Sequence, residues 1–196
     1  MLIMTRERIA NQLLEIGNLI DLYEQRDPQF VNRAVKWLTI LEENLLQLRN
    51  PLSAFVASEK SKILAVQDGL RDPLIIGSKS TRKTSMATTS LVLTRIEETL
   101  RAAITEIDKK FDTWREKMSQ LLALASMKHS IPLPPTQPHQ QWLKKVWSQL
   151  GKSEEAIGMH VYLNATMTQS DRLYLLDELI QNMLSESDFK SIHRVK

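Results

Sequence analysis

The chain reads as all-α: an antiparallel bundle of long helices followed by a small three-helix C-terminal unit. Leu, Ala, Glu, Gln, Lys and Met dominate, and glycine occurs only 5 times in 196 residues, a composition that favours helix. Apolar residues recur at spacings of three and four along most of the chain, as on one face of a helix. Helix-starting Asp-Pro and Asn-Pro pairs punctuate the pattern at 27–28, 50–51 and 72–73, where Asp or Asn offers a capping oxygen and Pro fits the first turn.

The elements follow in order. A first helix is predicted over about 5–26, with Ile9, Leu13, Ile16, Ile20 and Tyr23 as its stripe. A second runs to about Arg49 on Val31, Val35, Leu38, Leu41, Leu45 and Leu48. A third reaches about Leu70, with Phe55, Ile63 and Val66 turned inward. Gly77 to Ser85, GSKSTRKTS, reads as a polar, basic loop. A very long helix then covers about 86–128. Its stripe is Leu93, Ile96, Leu100, Ala103, Ile107, Phe111, Trp114, Met118 and Leu121. Such a helix spans about 60 Å at 1.5 Å per residue and cannot bury its stripe alone. The N-terminal helices are its expected cover, giving a bundle or coiled coil over 1–129.

Residues 130–138 hold four prolines in nine positions, which makes a stiff linker rather than a helix. Three short helices are predicted beyond it, at about 139–150, 153–167 and 170–184, with Ser153 and Ser170 as caps. The 139–196 unit ends in a loose tail.

Composition excludes several chemistries. Without cysteine there is no disulfide, thiolate metal site, iron–sulfur cluster or thiol nucleophile. His129, His139, His160 and His193 are scattered and form no ligand pair at helical spacing. Serines lack an activating elbow. No enzyme, cofactor or metal is therefore expected, although a site assembled only by the fold would escape a reading of this kind. No apolar run approaches the roughly 18 residues that span a bilayer, so membrane insertion is not expected and the location is read as cytoplasmic.

Net charge is +3, and its distribution is uneven. Residues 71–95 carry five basic and one acidic side chain; 128–152 carry four basic and none acidic. The first of these segments contains Gly77-Ser78-Lys79-Ser80-Thr81-Arg82-Lys83-Thr84, a P-loop pattern but for Arg82 at the second glycine. The backbone must wrap a phosphate closely at that position, and the fold would need parallel strands. We therefore read a basic surface loop, with Lys79, Arg82 and Lys83 available to a partner or a phosphate. The second segment joins Trp142 and Trp147 to Lys144 and Lys145. Rings and cations together suit base stacking or a protein hot spot, whereas helical geometry puts the tryptophans on the core side and the lysines outside. A helix-turn-helix reading of the last two helices fails on charge, because Asp171, Asp177 and Glu178 face Arg172 alone.

The expected function is a non-enzymatic helical scaffold or adaptor that binds a protein partner or itself. The second expectation is a nucleic-acid-associated protein using segments 77–83 and 139–152.

Overall fold

The computed structural model describes residues 1–70, 81–128, 139–152 and 154–192. Among these residues there are seven helices and no strand. They are α1 Leu2–Glu24, α2 Phe30–Gln47, α3 Leu52–Gln67, α4 Thr81–Lys128, α5 His139–Leu150, α6 Ile157–Thr166 and α7 Gln169–Ile192. The all-helical expectation holds.

The starts of α2 and α3 use the chemistry that the pairs at 27–28 and 50–51 offered, and the pair at 72–73 lies outside the described residues. The Asp27 carboxylate accepts the Gln29 N–H at 2.6 Å, and Asn50 Oδ1 accepts the Leu52 N–H at 3.0 Å. The helix ends share a device that the sequence does not advertise. Arg26 and Arg49 adopt left-handed φ of 53° and 52°, and Gly69 of 90°. Behind each, two backbone N–H groups turn back onto the preceding helix: Arg26 to Tyr23 and Asp27 to Leu22, Arg49 to Leu46 and Asn50 to Leu45, Gly69 to Val66 and Leu70 to Ala65. This is the Schellman closure, and it satisfies carbonyls that a helix end otherwise leaves open.

The chain divides into two compact units, and the division falls inside α4. One unit is Leu2–Ile107; the other is Asp108–Lys196 together with Met1. The sequence assigned all of 86–128 to the N-terminal bundle. The expected linker at 130–138 lies outside the described residues. An apolar stripe says that a face is buried and not which helices bury it.

In the first unit, α1, α2, α3 and the first half of α4 enclose a core that includes Ile9, Phe30, Leu38, Leu41, Leu45, Ile63, Ile96 and Leu100. The α1 stripe drifts from its predicted line: Leu19 is buried, whereas Ile20 and Tyr23 are about two-fifths exposed. In α2 the largest buried contributions come from Phe30 and Trp37, and Val31 and Val35 pack at the margin. Glu59 of α3 is buried, bonded to Lys62 and 3.8 Å from Arg95 of α4.

In the second unit, Phe111, Trp114, Met118, Leu121 and Leu122 of α4 are buried. So are Trp142, Leu143, Val146, Trp147 and Leu150 of α5, Leu163 of α6, and Leu175, Leu176 and Ile180 of α7. Polar ties reinforce it. Arg115 of α4 reaches Glu178 of α7 at 3.1 Å, and His139 of α5 reaches Asp177 at 2.8 Å. Among the described residues no helix is long and apolar enough to cross a membrane.

Candidate functional site

The residues singled out by charge and aromaticity fall in both units: Arg82 and Lys83 in Leu2–Ile107, and Trp142, Lys144, Lys145 and Trp147 in Asp108–Lys196. Lys79 lies outside the described residues. Thr81–Ser85, expected in the loop, already belong to α4. Packing overrides their loop-like composition: Ser85 is buried, Met86 packs against the core, and the Arg82 guanidinium donates to the Arg26 carbonyl at 3.1 Å. Lys83 is exposed.

The tryptophans of α5 sit in the core of the second unit, 6% and 9% exposed, while Lys144 and Lys145 face outward. The Trp147 indole N–H donates to Asn164 Oδ1 at 3.2 Å, and its face carries Arg172 at 5.1 Å. The rings are thus occupied within the unit, and the lysines next to them have no exposed indole to work with.

An open groove of about 680 Å³ runs between α1 and α2. Leu19, Leu22, Trp37 and Ile40 line it, and Glu15, Arg33 and Lys36 stand at its rim. The three charged residues are exposed. Among the described residues, no group of three or more His, Asp or Glu side chains could hold a metal ion.

The most unusual surface belongs to α6, Ile157-Gly-Met-His-Val-Tyr-Leu-Asn-Ala-Thr166. His160 is its one titratable side chain besides Tyr162. Leu163 faces the core, flanked by the buried Ala156 and Met167. The opposite face is apolar as well. Ile157, Val161 and Ala165 follow at four-residue intervals, with Gly158 and Tyr162 alongside, and all five are exposed. Ile157 is 53% and Val161 59% exposed. The Tyr162 ring carries the Lys117 ammonium of α4 at 4.9 Å. Apolar faces of helices normally turn inward; here Ile157 and Val161 stand in solvent on the side away from Leu163. The sequence signal for it was a ten-residue helix lacking Asp, Glu, Lys and Arg.

Sequence reading did not bring together His160, Asn164 and Arg172, which converge on Trp147. The i, i+4 spacing of His160 and Asn164 was the available clue. Compared with protein-family models, characterised proteins and solved structures, the chain matches none.

Proposed function

We propose that the chain is a non-enzymatic, cytoplasmic helical adaptor whose α6 receives an apolar, uncharged helix of another protein. The observation that carries this reading is the outward row Ile157, Val161 and Ala165, exposed on a helix whose other face is already buried. Apolar area left in water on both sides of Val161 favours association, and contiguous patches of this kind mark interaction sites. Gly158 and Ala165 are small, so a second helix could approach closely. No Asp, Glu, Lys or Arg on α6 would have to be stripped of water at the contact. The nucleic-acid reading has less behind it, because the two α5 rings that would stack bases are buried.

The test is the double variant Ile157→Glu/Val161→Glu in the full chain. Both positions are exposed, so thermal unfolding should stay within a few degrees of wild type. Site-specific photo-crosslinking from Tyr162 in the native cell should capture a defined partner with the wild type and lose it with the variant. Light scattering of the purified chain separates the alternatives: a wild-type dimer that the variant abolishes would give the face to a second copy. An unchanged crosslinking pattern with a well-folded variant would refute the docking role of α6.

A further inference from the structure

Three helices of the second unit meet at His160, in the first turn of α6. Its ring stacks on the Trp147 indole of α5, with centroids 4.3 Å apart and planes 24° from parallel. It also fills the space over Gly151, where a Cβ would stand 2.6 Å from His160 Cε1. His160 Nε2 lies 3.2 Å from the Trp147 carbonyl oxygen, and Nδ1 lies 3.1 Å from Asn164 Nδ2. Asn164 Oδ1 accepts the Trp147 indole N–H and an Arg172 guanidinium N–H from α7.

One arrangement of protons is consistent with all of these contacts. A carbonyl only accepts, so His160 Nε2 carries a hydrogen. Indole and guanidinium only donate, so Asn164 turns its oxygen towards them. Its amide nitrogen then faces His160 and donates, which requires a bare Nδ1. The ring is neutral, and its tautomer is fixed by its neighbours. A second proton would sit on Nδ1 and point at an N–H group. Turning the Asn164 amide over to receive it would set NH₂ against the indole and guanidinium donors.

The surroundings act in the same sense. Burial pushes His160 below its ordinary value of 6.5, the Trp147 carbonyl draws it up, and the Arg172 charge pushes it down again. Arg172 is the charged group that α7 brings to the ring. Trp147 of α5 and Gly151, which follows that helix, do not titrate. From α4, the Lys117 ammonium reaches α6 at the Tyr162 ring.

We infer that His160 is a proton-operated latch: a proton arriving at Nδ1 undoes the Trp147–His160–Asn164–Arg172 knot and releases α6 from α5 and α7. The sign follows from linkage. The unfolded chain takes up this proton near 6.5, and the folded chain does so only at lower pH. Between those two points the unfolded state binds more protons, so stability falls as pH falls. Above 6.5 the ring is neutral in both states, and this residue adds no pH dependence to stability.

The experiment is a ring ¹H–¹³C NMR titration of the full chain from pH 8 to 4.5, with hydrogen exchange of the α6 amides read at each point. It is run on wild type and on Asn164→Asp. In wild type the His160 midpoint should lie below 6.5, and α6 protection should disappear along the same curve. In Asn164→Asp the carboxylate accepts from a protonated Nδ1 while still accepting from Trp147 and Arg172. The midpoint should therefore shift upward, and α6 should stay protected to lower pH. A wild-type midpoint at or above 6.5, or a His160 titration that leaves α6 exchange untouched, would overturn the latch. So would an unmoved midpoint in a folded Asn164→Asp. Should that variant fail to fold, the wild-type pair of curves decides alone.

Discussion

Arg49 shows how much a single backbone angle can carry. Its φ of 52° lies in the left-handed region, where a Cβ crowds the backbone and glycine does not. The two N–H bonds that close α2 depend on that conformation, so the strain is retained as part of the helix end. Arg49→Gly should relieve it and raise stability by about 0.5–1 kcal/mol after the added flexibility of the unfolded chain is counted, as read from urea denaturation midpoints. Arg26 adopts the same angle, but Arg82 also docks on its carbonyl, which makes Arg49 the cleaner test. Gly151 poses the opposite case. Its φ is ordinary, and its value lies in the missing Cβ, whose place the His160 ring takes. Gly151→Ala should displace that ring from Trp147 and cost about 1–3 kcal/mol, with loss of the ring-current shift of the His160 protons as its signature. Neither arginine carries a turn signal in sequence, since left-handed caps are read from glycine or asparagine. Gly69 carries that signal and the arginines do not.

At the level of elements, the apolar stripes were the most readable feature, and the ends of helices the least. Eight of the nine residues in the α4 stripe are buried, and Ala103 packs at the margin; the spacing alone supplied them. The start of α4 was missed because small polar residues look like a loop until Ser85 is seen packed inside. The cap of α7 was misplaced by two residues. Ser170 was expected to cap it, whereas Thr168 does so: its hydroxyl accepts the Asp171 N–H at 3.3 Å and donates to the Asp171 carboxylate at 2.7 Å. Both residues suit an N-terminal cap, so propensity could not choose between them. Thr168→Ala should lower stability by about 1 kcal/mol, and far-ultraviolet circular dichroism during thermal melting would register it. α6 proved shorter than its predicted span of 153–167. Its apolar composition was visible, but which face of it would be covered was not.

Over the whole molecule, α4 belongs to two units at once. Leu100 lies in the core of Leu2–Ile107, and Met118 is buried in Asp108–Lys196. Leu100→Ala and Met118→Ala should each cost about 2–5 kcal/mol, but in different places. Hydrogen exchange should quicken chiefly in α1–α3 for the first and in α5–α7 for the second. Equal effects on all seven helices would show that the units do not open separately. The sequence by itself determined the helical class, most of the residues that would be buried and the starts of α2 and α3, because periodicity and capping are local properties of neighbouring residues. It also bounded the chemistry, since a chain without cysteine cannot form a thiolate site. Only the tertiary structure decided which helices share the α4 stripe and that α6 keeps an apolar face in water. The same holds for the knot around His160, whose members lie on three helices. Each of these depends on contacts between residues far apart in the chain, and a local pattern states that a face needs a partner without naming it.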